Sequence, residues 1–353
     1  MSKMLEEIRQ QPAGLERTLR GELRHIERLK KALSERRPRH IVLAARGTSD
    51  NAAQFGRYVL EITTGIPVSL AAPSIFTLYQ AEVNLEDALV VAISQSGEST
   101  DTNFVLEGAR KRGALTIGIT NEAASSMARI AEWVFLVRAG KEKSIAATKT
   151  YTGQLLLLFL LAYALGARIN LDDLRRIPEW AAAALKLEPA IEELSRRYRF
   201  MDRAVVVGRG LNYSNALEFA LKLKETCYVV AEGFSSADFM HGPIAMVAAS
   251  FPVFLFAPPG VTWPSLKEML DKLESLQAET LVISDLRHRE ALARRSRAVV
   301  VPARPGRKGV HPQDLLTPIP YIIPAQLFAA CLADQKGVNP DYPRTLRKVT
   351  RTM

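Results

Sequence analysis

The stretch Ile93-Ser-Gln-Ser-Gly-Glu-Ser-Thr100 places four hydroxyls and one amide directly after the apolar run Ala88–Ile93. Hydroxyl donors converging on a turn, with Gly97 admitting close approach of backbone N–H groups, suit a phosphate dianion. N-capping of a following helix by Ser99 or Thr100 accounts for one of those hydroxyls but not for all four. A companion turn, Arg46-Gly47-Thr48-Ser49, offers two more hydroxyls to the same kind of anion. A second group of reactive side chains, Glu218, Lys222 and Glu225, falls at i, i+4 and i+7 and so shares one helical face. An exposed salt-bridge ladder has that same spacing, and on spacing alone it is the favoured reading. The segment AEGFSSADFMHGP then adds His241, one of five histidines, before a Gly-Pro turn. An imidazole beside a carboxylate-rich helix is an acid/base candidate.

These groups need a scaffold, and the chain repeats one. RHIVLAARGTSDNAAQFGRYVLE, from Arg39, matches RAVVVGRGLNYSNALEFALKLKE, from Arg203, as strand, Arg-Gly turn and helix. Setting Arg46-Gly47 on Arg209-Gly210 gives an offset of 163, which carries ALVVAIS at Ala88 onto FPVFLFA at Phe251. LTIGIT at Leu115 likewise meets ETLVIS at an offset of 164, and Trp133–Val137 meets Ala298–Val301. Short apolar strands alternating with amphipathic segments predict an α/β fold in which each half reads β-α-β-α-β-α-β, a doubly wound parallel sheet flanked by helices. Ligands in such sheets bind beyond the carboxyl ends of the strands, which is where both hydroxyl-rich turns fall. The second half has Pro258-Pro259-Gly260 in place of the serine-rich turn, so one phosphate site per chain is expected. Neither ARGTSD nor GRGLNY completes a dinucleotide-binding G-x-G-x-x-G.

Length and charge bound the function classes. The 353 residues, 48% hydrophobic, accommodate two domain-sized cores. The +10 net charge is scattered along helices such as RHIERLKKALSERRPR without interleaved aromatics, which argues against nucleic-acid binding. The longest apolar run, LLLLFLLAYAL from Leu155, is about half a membrane span and predicts a buried helix. MSKMLEEIRQ lacks the apolar core of a secretion signal, and two isolated cysteines give neither a disulfide framework nor a zinc site. A cytoplasmic setting with no membrane partner is the expectation.

The motifs GTSxxxA, SQSGEST, ATKTYT, ALKLKET, AEGFSSADFMHGP and NPDYPRTLRKVT, in this order, resemble the isomerase half of glucosamine-6-phosphate synthase and its sugar-isomerase (SIS) relatives. The resemblance runs from about residue 30 to the C-terminus and is most like the SIS-type glucosamine-6-phosphate deaminases. It implies two tandem SIS domains, with a helical segment at 1–37, domains at 38–180 and 181–338, and a tail at 339–353 closing the site. By the same resemblance Thr48, Ser49, Ser94, Gln95, Ser96 and Ser99 bind phosphate, while Gly47 and Ile145 touch the sugar. Glu225 moves a proton between C1 and C2, His241 of the neighbouring subunit opens the ring, and Lys348 contacts the open-chain sugar. Glu218 and Lys222 support them, and a homodimer follows. Ala147 departs from the serine usual in the synthases, and no glutaminase domain with an N-terminal cysteine is expected, since the chain begins Met1-Ser2-Lys3.

The implied reaction is deaminating aldose-ketose isomerisation of an amino-sugar phosphate, glucosamine 6-phosphate and water giving fructose 6-phosphate and ammonia. A carboxylate and an imidazole suffice for it, so neither metal nor cofactor is called for. A fructosamine-6-phosphate deglycase, a galactosamine-6-phosphate deaminase and a non-catalytic sugar-phosphate sensor are the alternatives. RTLRKVTRTM has the composition of a disordered tail, whereas the two prolines of Asn339–Arg344 favour a defined path ahead of Lys348.

Overall fold

A computed structural model of the chain describes residues 2–294, 296–303 and 312–345. It divides into two compact units. One comprises Met1–Pro12, Lys143–Thr148 and Arg176–Thr345; the other contains Ala13–Glu142 and Lys149–Arg175.

The unit that begins at Ala13 is built on five parallel strands: β1 (His40–Ala44), β2 (Val68–Leu70), β3 (Ala88–Ser94), β4 (Leu115–Thr120) and β5 (Trp133–Leu136). Their order is β2-β1-β3-β4-β5, with registers such as Ile41 on Val68, Leu43 on Val91 and Leu89 on Leu115. Every residue of the central strand β3 is buried, as expected where helices cover both faces of a parallel sheet. The chain runs from β1 outward to β2 and then returns to β3, so the topological switch point lies between β1 and β3.

The other unit repeats the arrangement with β6 (Arg203–Gly208), β7 (Val230–Ser235), β8 (Pro252–Phe256), β9 (Glu279–Asp285) and β10 (Arg297–Val301), in the order β10-β9-β8-β6-β7. Strand for strand this is the first sheet again, with His40 answering to Arg203 at an offset of 163 and Leu115 to Glu279 at 164. Each sheet holds one strand more than the apolar runs predict. The additional strands are β2, only three residues long, and β7, whose sequence Val-Ala-Glu-Gly-Phe-Ser has an irregular burial pattern. Neither is a continuous apolar run, and each sits at an edge of its sheet, where one flank needs no partner.

The apolar stretch from Leu155 lies in the helix Lys149–Ala164, in which nearly every side chain is buried. No helix among the described residues is long and apolar enough to cross a membrane. In the Met1–Pro12 segment the helix Lys3–Arg9 is N-capped by Ser2, while Asp341 accepts the Lys3 and Met4 N–H groups at 2.7 and 2.9 Å. Glu7 of the same helix accepts the backbone N–H groups of Lys143 and Ser144, the latter at 3.1 Å.

Candidate active site

Strand β1 ends at Ala44, and three residues on Gly47 opens the helix Thr48–Thr64. Gly47 has φ +58°, a conformation other residues adopt only with strain, and a Cβ placed there would meet nothing within 4 Å. The glycine therefore serves backbone shape and leaves the space before the helix open. Ser49, in the first turn, is buried, and its Oγ accepts a hydrogen bond from Gln154 Nε2 at 3.0 Å.

Across the switch point, Ser94 closes β3 and its Oγ accepts the Gly97 N–H at 3.1 Å, while Ser96 Oγ accepts the Glu98 N–H at 3.2 Å. Gly97 has φ +65°, and a Cβ on it would lie 2.2 Å from Ser125 Oγ, so both conformation and space demand glycine. The Gly97 carbonyl is fixed by the Met127 N–H and by Asn103 Nδ2, each at 3.0 Å. Ser99 stands at the N-cap of the helix Thr100–Lys111 yet caps no N–H group with its side chain; its Oγ pairs instead with Thr102 Oγ1 at 2.9 Å. Two helix N-termini thus flank one switch point, with hydroxyls from Ser49, Ser94, Ser96 and Ser99 and the half-buried Gln95 among them. Thr48 joins them from its partly buried position at the start of its helix. The partial positive charge of helix N-termini and these donors fit an oxyanion. Asp101, buried in the first turn of the Thr100–Lys111 helix, would repel one, but Arg46 holds it in an ion pair at 3.0 Å.

The switch point of the repeated sheet is built differently. Gly210 has the same φ of +58°, but a Cβ there would lie 3.1 Å from Thr262 Cγ2, and one on Gly260 would lie 3.2 Å from Gln313 Cβ. Side chains of the unit itself occupy the space that stands open beside Gly47.

Glu218, Lys222 and Glu225 project from one face of the helix Tyr213–Cys227. Glu218 and Lys222 have no exposed side-chain surface, whereas Glu225 retains 23%. Burial on this scale removes the exposed-ladder reading left open by the spacing. Lys222 Nζ donates to Glu225 Oε2 at 2.5 Å and lies 3.4 Å from Glu218 Oε1. Burial pulls the Lys222 ammonium down, but the Glu218 and Glu225 carboxylates outweigh it and hold the group above the ordinary lysine range. Glu225 Oε1 makes no hydrogen bond among the described residues. A buried ion cluster of this kind adds little stability over apolar packing, which makes it a candidate for chemistry.

His241 follows the short helix Ser236–Met240 and is exposed, with no side-chain hydrogen bond among the described residues. The partly buried Ile145 lies in the Lys143–Thr148 segment, whose Thr148 carbonyl accepts from Gln326 Nε2 at 3.3 Å. Lys348 lies outside the described residues. The chain leading toward it is tethered where the Arg344 N–H donates to Tyr228 Oη at 2.8 Å, Tyr228 being the left-handed residue that ends the Glu225 helix. Among the described residues no three His, Cys, Asp or Glu side chains gather as metal ligands. Sequence reading passed over Gln154, Asp101, Thr102 and Asn103. Only Gln154 left a signal there, as a lone amide in an apolar run.

A family profile for the SIS domain matches twice, over residues 35–164 and 198–330. The chain belongs to the SIS family. Both matches cover one doubly wound sheet each, so the resemblance noted in the sequence and the two-domain α/β architecture hold. Glutamine-fructose-6-phosphate aminotransferase (isomerizing) of Pyrococcus horikoshii is 35% identical over 351 residues, covering 98% of this SIS chain and 57% of the relative. The chain thus spans little more than half the length of the curated relatives it matches. Among solved structures, the C-terminal domain of glucosamine-fructose-6-phosphate aminotransferase from Francisella tularensis superposes with a TM-score of 0.86 at 28% identity, covering 97% of this chain and 98% of that one. A glucosamine-6-phosphate deaminase from Thermotoga maritima shares the fold, with a TM-score of 0.75 at 22% identity over 99% and 100% of the two chains.

Proposed function

We propose that this SIS protein is a sugar-phosphate aldose-ketose isomerase that acts on glucosamine 6-phosphate and releases ammonia. The observation that carries the reading is the buried Glu218-Lys222-Glu225 array, in which one carboxylate oxygen of the least buried member makes no hydrogen bond among the described residues. The open, donor-rich turns at Gly47–Ser49 and Ser94–Ser99 support phosphate as the handle. Glu225 takes the proton from C2 of the open-chain aldose and returns it to C1, turning an enolamine into a C2 iminium. Water adds at C2, and the carbinolamine expels ammonia to leave the ketose. One water enters and one ammonia departs, with no change in oxidation state summed over C1 and C2. Lys222 keeps Glu225 oriented through its Oε2, and Glu218 holds Lys222 from the other side.

His241 transfers the proton between the C1 hydroxyl and the ring oxygen in ring opening. Its exposure supports delivery to the site of a second copy, hence a functional homodimer. Ile145 and Gly47 border the sugar, and Lys348 approaches the open chain. The identity to isomerizing aminotransferases supports amine exchange at C2, since amination of the ketose is the reverse of this path. Neither cysteine supplies a nucleophile for glutamine: burial pushes the Cys227 thiol up to about 12 and Cys331 up to about 11.

The test is release of ammonia and fructose 6-phosphate from glucosamine 6-phosphate by the purified chain, with Glu225→Gln alongside. Loss of turnover in the variant by roughly a hundred-fold or more, with phosphate affinity kept, is expected of a general base. Equal turnover by both proteins would remove Glu225 from the chemistry, and no turnover by either would remove this substrate.

A further inference from the structure

We propose that Gln154 is a positioning residue for phosphate recognition, acting through Ser49 by fixing the direction in which that hydroxyl presents its proton. The proposal rests on the phosphate-binding reading given above.

Gln154 is the only polar side chain between Gly153 and Ala162, and it is fully buried at the head of the leucine-rich part of its helix. A buried amide with one hydrogen bond costs stability where leucine or methionine in its place adds it. Its single side-chain partner among the described residues is Ser49, whose Oγ it meets at 3.0 Å. A serine hydroxyl has one proton to give. When the amide donates to the oxygen, that proton turns away from Gln154 and is left for another acceptor at the helix N-terminus that Gly47 opens.

The direction of the bond depends on which end of the amide faces Ser49, and the surroundings decide it. Gln154 Oε1 is buried with no partner among the described residues. Rotating the amide by half a turn would leave an NH₂ group with both donors unmet in that place, a costlier orphan than a carbonyl oxygen. Nε2 therefore faces the serine, and the hydroxyl is set as a donor before any anion arrives.

The packing around the pair maintains the reach. Ser49 and Gly56 share a face of the Thr48–Thr64 helix at i and i+7, as Gln154 and Leu158 do on theirs at i and i+4. A Cβ on Gly56 would lie 2.9 Å from Leu43 Cδ1 and 3.0 Å from Leu158 Cδ2, so the glycine allows the close approach of the two helices. Phe55 and Phe159 interlock edge to face at 5.0 Å beside it.

The experiment is calorimetric titration of the full chain with inorganic phosphate for the native protein, Ser49→Ala, Gln154→Met and the double variant. Both single variants are expected to weaken binding by roughly ten-fold, the scale of one hydrogen bond to a charged group. The double variant is expected to bind no worse than Ser49→Ala alone, because Gln154 has nothing left to orient. Gln154→Glu, whose carboxylate accepts the serine proton and reverses the bond, is expected to weaken binding at least as much as Gln154→Met. With a sugar phosphate that the chain turns over, Gln154→Met raises KM while kcat is kept. Multiplied effects in the double variant, or native affinity in Gln154→Met beside weakened Ser49→Ala, would overturn the role of Gln154 alone. Native affinity in Ser49→Ala would overturn the phosphate assignment of Ser49, and the role of Gln154 with it. Cooperative urea transitions that leave each variant folded under the titration conditions separate all of these from misfolding.

Discussion

Replacing Lys222 with methionine removes one cation and leaves a chain of nearly the same length, so the consequence is almost purely electrostatic. In the native protein Nζ lies 2.5 Å from Glu225 Oε2 and 3.4 Å from Glu218 Oε1. At an effective dielectric of about 20, those separations correspond to attractions of about 7 and about 5 kcal/mol. Desolvation of several kcal/mol for each ion offsets most of this, so the intact cluster contributes little net. Taking away the cation alone cancels the attraction but keeps the Glu218 carboxylate buried, a loss of about 3–5 kcal/mol. For units of this size that is a fall in Tm of roughly 6–20 °C.

The pH dependence gives a second signature. Lys222 has a folded-state pKa raised above its ordinary 10.5, so its contribution is complete below that value and is lost as pH rises through the folded value. In Lys222→Met the buried Glu218 carboxylate loses the cation beside it, and its pKa moves up instead, through desolvation. Its folded form is then most stable below the ordinary carboxylate range and weakens as pH rises. The deficit against the native protein is expected to shrink between pH 7 and pH 5, and Glu218→Gln added to Lys222→Met is expected to restore most of the loss. Calorimetric melts across pH measure all three proteins. A Lys222→Met melt within about 2 °C of the native one, flat with pH, would refute the buried cluster.

Two further outcomes follow from local geometry. Gly97→Ala adds a Cβ 2.2 Å from Ser125 Oγ at a φ of +65°, and is expected to cost about 1–3 kcal/mol in urea unfolding while weakening phosphate binding; adding Ser125→Gly relieves only part of the clash, since Thr120 Oγ1 stays 2.8 Å from the new Cβ. Both cysteines are buried, so a thiol reagent at pH 8 is expected to label neither in the native protein within minutes and both in denaturant; rapid native labelling would show the helix of Cys227 or Cys331 to open readily.

How much of this was readable in advance depended on how far apart the interacting residues stand. Strands β1, β3, β4 and β5 announce themselves as apolar runs, and their repetition 163–164 residues later exposes the duplicated sheet. Strands β2 and β7 do not, because edge strands are short or only partly apolar. The turn at Ser94–Ser99 could be placed beyond a strand end by topology alone, but that Ser99 leaves its helix uncapped is a matter of rotamer, which no pattern reveals. Glu218, Lys222 and Glu225 show their common face in the sequence, while the burial that distinguishes them from a solvent ladder comes from elements far along the chain. The Ser49–Gln154 contact joins residues 105 positions apart; the lone amide was visible, its partner was not.

The six residues Lys143–Thr148 belong to the unit formed mainly by Arg176–Thr345, although the chain on either side of them belongs to the other. Glu7, from the opening helix, holds their start. A gene cut near residue 175 would therefore not return the two halves of the ancient duplication. The later fragment would lack both the Glu7 helix and the segment it holds, and the earlier would carry those pieces with nothing of their own unit to join. What began as one unit copied has become a chain whose two units no single cut separates.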